Sequence, residues 1–468
     1  MDFNEYLMDL ENRDIRVKPS SFDVGQANLA LFTDLYELKM LQAYLEEGMT
    51  EDAVFSLFVR RLPGCRNFLL TCGLETVLDY LENLSFTNEE IRYLGSLGYF
   101  SDRFLAWLRD FAFRGDVYAM PEGTPLFPNE PILEVKAPLP EAQLVETFII
   151  NQIHTQTMLA SKAQRVVTAA EGRPVIDFGA RRMHGIDTAL KAARAFYIAG
   201  VAATSNVLAG RLYDIPVAGT MAHSYIQAHD HEASAFRSFA QLYPDTILLV
   251  DTYDTLIGVR KVIDLAKSLG KRFQVNAVRL DSGDLLTLSK EARRLLDDAN
   301  LNNVRIFASG GLDEYTIAEL LSSGAPIDGF GVGTHMGVSS DAPDLDIAYK
   351  LCEYAGKGRL KLSIGKPVFP GLKQVFRIPA GEHDTRDVIA RANEDLQGRP
   401  LLSAVMRDGR RLSKDTASLE SLREYATEQV SRLPDHIRAI APADNPYPVE
   451  INQALSRLQD EISKKVVK

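Results

Sequence analysis

The sequence predicts an α/β protein: an irregular β/α (TIM-like) barrel with an additional α+β domain built from the N- and C-terminal segments. Two observations predict it. Between about 173 and 351 a short β-rich run, a polar cluster and a helical stretch recur, and strands alternating with helices form a parallel sheet. Outside that region helical patterns and β-rich pieces mix without such a rhythm.

The β-rich runs are Val175–Phe178, Gly200–Thr204, Ile215–Ala218, Thr246–Val250, Ala277–Leu280, Arg305–Ala308, Asp328–Val332 and Ile347–Leu351. Between them Leu256–Leu269 places Leu256, Val259, Val262, Ile263, Ala266 and Leu269 at helical spacing, and Gly270 stops it. Leu285–Ala299 and Tyr315–Ser322 have the same pattern. Eight such units predict a compact barrel, irregular because the connection after Thr204 is very short. In such barrels the chemistry sits where the strands end, which is where this chain places its polar residues.

Residues 1–140 are expected to form the N-terminal α+β domain, 141–365 the barrel, and 366–468 an α+β segment packing on the N-terminal domain. Asp34–Glu47, Gly73–Asn83, Asn88–Leu97 and Ser101–Asp110 look helical, and Ala53–Arg60, Asp116–Ala119 and Ile132–Val135 look β-rich. The proline-rich stretch Pro121–Pro140 is read as a domain edge. Gly381–Gly398, charged and bounded by glycine, is read as an exposed excursion.

Of 468 residues, 46% are hydrophobic and 25% charged, which is a globular enzyme's profile. The net charge of −11 argues against nucleic-acid and anionic-membrane binding, which need a basic face. Small anionic substrates stay open, since arginines can cluster locally. Cys65, Cys72 and Cys352 have no zinc-like spacing and fit a reducing compartment. Met1–Glu5 lacks the regions of a signal peptide, and no run reaches a membrane span. The expected address is cytoplasmic.

Seven strand ends carry candidate chemistry. Phe178 offers a face for a flat ring and Arg181 a bidentate anion contact, or they are a core ring and a surface guanidinium. Thr204-Ser205-Asn206 reads as hydroxyls and an amide for a ligand, or as a helix cap. Gly219-Thr220-Met221-Ala222-His223-Ser224 surrounds a histidine with small residues; His223 reads as nucleophile, general acid–base or hydrogen-bonded structural group. His229 and His231, beside Asp230 and Glu232, read as a solvated helix face rather than metal ligands. Asp251-Thr252-Tyr253-Asp254 suits Mg2+ or a helix cap. Arg279-Leu280-Asp281-Ser282-Gly283-Asp284 joins a guanidinium, carboxylates and Gly-backed amides, the groups a ribose diphosphate needs. Ser309-Gly310-Gly311-Leu312-Asp313 and Gly331-Val332-Gly333-Thr334 are consecutive glycine-rich ends, a recurring phosphate cradle. Beyond them, Lys350, Lys361, Lys366, Lys373 and Arg377 read as a positive rim for anionic substrates, or in part as ordinary surface lysines.

Together these stretches resemble the nicotinate phosphoribosyltransferases, a family of type II phosphoribosyltransferases. The resemblance also takes in Thr33–Tyr36, Ala142–Thr147, Ser161–Ala163, Pro370–Arg377 and Tyr447–Val449, and covers most of 28–455. It implies that nicotinate and phosphoribosyl diphosphate give nicotinate mononucleotide and diphosphate on the route to NAD. ATP as co-substrate and Mg2+ as cofactor are implied, with His223 as a phosphohistidine. It implies His223, Arg279 and Asp281 as catalytic residues, and Tyr36, Phe178, Arg181, Thr220 and Arg279 as nicotinate contacts. Ser282, Gly310, Gly311, Gly333 and Thr334 are implied for phosphoribosyl diphosphate. Asp34 and Tyr36 would belong to the neighbouring subunit's site, so a homodimer is implied.

Two departures stand out. Relatives using nicotinamide carry Thr-Asp-Thr where this chain has Thr204-Ser205-Asn206; the missing Asp removes an amide acceptor and a charge that would repel a carboxylate. After Pro370-Gly371 the family has two basic residues, and Leu372 takes one place. Enzymes of nicotinamide or quinolinate, and a non-catalytic nucleotide-sensing barrel, are the alternatives.

Overall fold

The computed structural model describes residues 29–362, 368–413 and 417–466. Its centre is a six-stranded parallel sheet in the spatial order Ala203–Thr204, Val175–Asp177, Gly329–Val332, Arg305–Ser309, Ala277–Leu280, Ile247–Leu249. Parallel strands covered on both faces read as apolar runs. Here Val175, Leu248, Val278, Ile306 and Phe330 are buried in one core with Phe196, Val262 and Ile317 from the covering helices.

The closed eight-stranded barrel is not formed among the described residues. The sheet is open, a half-barrel. The run Ile215–Ala218 contributes one parallel bridge, Val217 to Thr204; Pro216 has no N–H to extend a ladder. The last run, Ile347–Tyr354, leaves the barrel and pairs antiparallel with Asp52–Val59. Two contacts hold it there. Arg60 donates to Asp346 at 2.8 Å just ahead of the strand, and Tyr349 stacks on Phe55 with ring centres 4.9 Å apart.

The antiparallel sheet runs in the order Lys357–Gly358, Ile347–Tyr354, Asp52–Val59, Pro131–Pro138, Asp116–Ala119, Ser403–Arg407, Arg410–Arg411. Within the proline-rich stretch, Pro131–Pro138 is a strand inside this sheet. The 24-residue helix Glu146–Ala169 joins the two units. Phe148, Ile149 and Ile153 belong to the core beneath the antiparallel sheet, and Leu159, Ala163 and Val166 to the core of the parallel one. No described helix is long and apolar enough to cross a membrane.

Two expectations about charge are overturned. Gly381–Gly398 is no exposed excursion, because His383–Arg391 is a strand paired with Lys373–Ala380. Its acids face inward: Asp387 pairs with Arg377 at 2.6 Å, and Asp384 with Arg399 and Arg432 at 3.0 and 3.1 Å. The positive rim dissolves for the same reason. Arg377 is wholly buried, Lys373 is buried 2.9 Å from Glu134, and Lys350 lies 3.5 Å from Glu146. Lys361 is exposed, and Lys366 lies outside the described residues. Leu372 packs against the small cluster of Val54, Phe58, Ala348, Cys352 and Val368.

Arg377 also donates to the Pro125 carbonyl at 2.8 Å. Arg377→Met would leave Asp387 buried and without its cation, a loss of about 3–5 kcal/mol. A lower urea midpoint of unfolding is the expected result; an unchanged midpoint would contradict the buried pair.

Candidate functional site

The C-terminal ends of the parallel strands open into one cleft of about 400 Å³. Phe178 and Arg181 come from the first strand, Thr220 and His223 from the bridged run, and Arg279 and Asp281 from a third. The two glycine-rich ends, Ser309–Leu312 and Gly333–His335, complete the wall. A larger cavity of about 530 Å³ lies elsewhere, between Phe127, Tyr447 and prolines 63, 442 and 446. It is mainly apolar and gathers none of the strand ends, so the smaller cleft is the candidate site.

Asp177 fixes the first corner. It is buried, and its two oxygens accept from the Gly179 N–H and the Thr204 hydroxyl, each at 2.8 Å. Burial raises its pKa, and these two bonds oppose that shift. The turn they hold presents Phe178, whose ring lies on the backbone of Gly331: a Cβ there would sit 2.4 Å from a ring carbon. Thr204 is thus structural, Asn206 caps helix Val207–Tyr213, and Ser205 alone of the trio reaches the cleft.

Arg279 lies beside the same ring, its guanidinium carbon 5.8 Å from the Phe178 centroid. It donates to the Met221 carbonyl at 2.9 Å, while its Nε is buried with no hydrogen-bond partner among the described residues. Burial lowers its pKa; Asp281 and Asp251 pull it up, and Arg181 pushes it down further. A guanidinium beside a flat ring and a second arginine has the chemistry to receive a planar anion.

His223 opens the short helix His223–Gln227. Its Nδ1 is 3.1 Å from the Thr252 hydroxyl and its Nε2 is 3.8 Å from Asp281 Oδ2. The ring is 40% exposed, so it is held on one side and open on the other. Asp281 accepts from Ser309 Oγ at 2.5 Å. Asp251 steadies this corner by accepting from the Asp281 N–H and from Ser282 Oγ, at 3.0 and 2.5 Å. Ser282 is therefore committed to Asp251 and is not on the cleft wall.

Gly310 has φ +87°, and a Cβ on it would lie 1.8 Å from the Asp281 carbonyl oxygen; only glycine fits. Gly311 follows at φ +64°. Gly333 precedes the short helix that begins at exposed Thr334. The remaining polar strand-end residues are caps: Asp254, Asp284 and Asp313 each accept from a helix's first-turn N–H. His229 Nδ1 lies 2.9 Å from the Tyr225 carbonyl, and no cluster of three or more His, Cys, Asp or Glu among the described residues suits a metal.

Asp34 and Tyr36 lie away from the cleft. Asp34 accepts from Thr147 at 2.7 Å. Tyr36 is 51% exposed, with Phe32 and Leu35 exposed beside it. Its hydroxyl donates to Glu37 at 3.3 Å. Glu37 is buried; burial pushes its carboxyl up to about 7, bonds from Thr33 and Thr147 oppose this, and Glu146 and Asp34 add to it. The sequence reading gave no role to Asp177 or Glu37 and did not separate Asp251 and Thr252 from their neighbours. Asp177 lies in the run Val175–Phe178 and Asp251 opens Asp251–Asp254, but each is tied to a residue at another strand end, Thr204 and Ser282.

Three family models cover the chain. The nicotinate phosphoribosyltransferase N-terminal domain matches residues 31–154, the family's core model 174–374, and its C-terminal domain 382–459. A nicotinate phosphoribosyltransferase of Mycobacterium tuberculosis is 55% identical over 426 residues, covering 91% of this chain and 92% of the relative. One of Bacillus subtilis is 42% identical over 380 residues, covering 79% and 77%. The crystal structure of human nicotinic acid phosphoribosyltransferase superimposes with a TM-score of 0.82 at 27% identity, covering 92% of this chain and 99% of that one.

The raised Glu37 gives a pH test. A carboxyl whose folded value lies above its ordinary 4.5 keeps its proton in the folded state. Stability is then lost as pH rises from about 4.5 to about 7, and the loss persists above. Glu37→Gln should remove a pH-dependent penalty of about 1–3 kcal/mol. The Tm advantage of the variant over the wild type should grow between pH 5 and pH 8; a constant difference would contradict the shift.

Proposed function

The chain belongs to the nicotinate phosphoribosyltransferase family and carries that activity, and within it we propose how the cleft divides the work. Nicotinate and phosphoribosyl diphosphate give nicotinate mononucleotide and diphosphate. The pyridine nitrogen's lone pair forms the bond to the ribose anomeric carbon. The bond from that carbon to the diphosphate oxygen breaks, and diphosphate leaves with the electron pair. The carbon between them is oxocarbenium-like, so the protein contributes positioning and charge compensation rather than a nucleophile for this step.

The observation that carries the roles is the convergence of the Phe178–Arg279 pair, His223 and both glycine-rich ends on one cleft. The ring of nicotinate lies on Phe178, and its carboxylate takes the spare donors of Arg279 and Arg181, with Thr220 at the same end. The phosphoribosyl phosphate takes the amides of Gly310, Gly311 and Gly333 and the Thr334 hydroxyl, since unpaired N–H groups at a turn and helix start bind anions. Ser282 acts through Asp251 in holding Asp281.

Mg2+ fits the corner of Asp251 and Asp281: Asp251 Oδ1 is buried and has no hydrogen-bond partner among the described residues. Two carboxylates without a protein cage suit an ion that keeps waters and substrate phosphates. When bound it would offset the charge of the diphosphate.

His223 is the phosphorylated residue that couples ATP to transfer. A ring nitrogen attacks the γ-phosphorus and ADP leaves; water later cleaves the phosphohistidine to free phosphate. Thr252 orients the ring, and the glycine and alanine around it leave room for a phosphoryl group. A homodimer is supported by exposed Phe32, Leu35 and Tyr36, which offer Tyr36 and Asp34 to a second copy's cleft. The free thiols Cys65, Cys72 and Cys352 accord with a cytoplasmic setting.

Nicotinamide is the second reading, and Ser205 in the cleft in place of an acid favours the carboxylate. Diphosphate release should therefore require nicotinate, with nicotinamide and quinolinate failing to replace it. Labelled ATP should leave acid-labile, base-stable label on the wild type and none on His223→Ala; label that persists in the variant would remove His223 from this role. Arg181→Ala should raise the nicotinate KM about tenfold, a loss of about 1.4 kcal/mol, and that of phosphoribosyl diphosphate far less. Equal rises would contradict the assignment.

A further inference from the structure

We propose, building on that reading of the cleft, that a buried ion cluster behind it fixes both glycine-rich loops and so sets the affinity for phosphoribosyl diphosphate, with Lys162 and Asp341 as positioning residues. Lys162 lies in the helix Glu146–Ala169 that joins the two units, with its side chain 1% exposed. Its Nζ is 2.5 Å from Glu314 Oε2 and 2.7 Å from Asp341 Oδ1. Arg165, one turn later, donates to the other Glu314 oxygen at 2.9 Å. Arg66, from the loop after Asp52–Val59, donates to both oxygens of Asp341, at 2.5 and 3.1 Å.

The two carboxylates sit just beyond the two loops. Glu314 follows Gly310-Gly311-Leu312-Asp313 and opens the helix that Asp313 caps. Asp341 follows Gly333-Thr334 and the short helix Thr334–Gly337. One ammonium group thus ties together the segments that leave each loop. Burial pushes the Asp341 carboxyl up, but hydrogen bonds from Arg66 and Lys162 outweigh it and hold the group well below the usual carboxylate range.

Stability alone gives a weak reason for such a cluster. Buried ion pairs are often replaceable by apolar residues at no loss, whereas removing one partner is costly. What the ions supply is direction, since each bond sets a distance between chain segments that apolar packing alone leaves free to slide.

Asp341→Asn is the direct test, because that side chain is 22% exposed and the change keeps its shape. Its KM for phosphoribosyl diphosphate should rise about tenfold, as expected for loops displaced by a fraction of an ångström. The nicotinate KM should stay within about twofold, a split that a merely structural role would not produce. Asp341→Glu should recover part of the loss. Lys162→Met should show the same split more strongly; if it fails to fold, Asp341→Asn decides alone. A KM for phosphoribosyl diphosphate within twofold of wild type, or equal rises for both substrates, would overturn the proposal. Should the wild type transfer no phosphoribosyl group, the functional reading fails separately. Calorimetry with inorganic diphosphate then decides this one: binding about tenfold weaker in Asp341→Asn supports it, and equal binding overturns it.

Discussion

The cleft depends on how closely two neighbouring strand ends approach each other. At Gly310 the backbone, in a left-handed conformation, passes so near the Asp281 carbonyl that a Cβ would lie 1.8 Å from it. Ser309, one residue earlier, donates to the Asp281 carboxylate. Parallel pairing of Arg305–Ser309 with Ala277–Leu280 brings these residues side by side. Their contact fixes at once where the glycine amides point and where Asp281 faces His223. The same device recurs at Gly331, where the missing side chain lets the Phe178 ring lie on the strand backbone. Bare backbone therefore forms one side of the cleft, and the Phe178 ring with the guanidinium groups forms the other.

An open sheet suits this arrangement. A closed barrel would need Ile347–Tyr354 beside the parallel strands, but that strand is held in the antiparallel sheet by the Arg60–Asp346 bond and the Tyr349–Phe55 stack. The chain after Gly333 is thereby pulled across to the other unit, and Asp341 with it. The helix Glu146–Ala169 crosses the same boundary from the other side. The geometry of the cleft is thus tied to the junction between the two cores.

What could be read from the sequence was local. Apolar runs and helical spacing located the parallel strands and the helices between them, because each depends on its own residues. Strand closure was not legible, since the partner of Ile347–Tyr354 is chosen by residues nearly three hundred positions away. Charge was misread in the same way. Lys373, Arg377, Asp384 and Asp387 look like a solvated surface in one dimension, and only long-range pairing turns them inward. At the site, residues that face the cleft stood out by their type and their place at strand ends. The residues that orient them, Asp177, Asp251, Thr252 and Glu37, did not, because each acts through a partner on another segment.

The measurement that bears most directly on the site is a crystal structure of the protein with nicotinate mononucleotide. The expected result is a pyridine ring on Phe178, its carboxylate against Arg279 and Arg181, and its phosphate on the amides of Gly310, Gly311 and Gly333. A nucleotide bound elsewhere, or with its phosphate on the arginines and its ring on the glycine loops, would contradict the assignment of the two halves of the cleft.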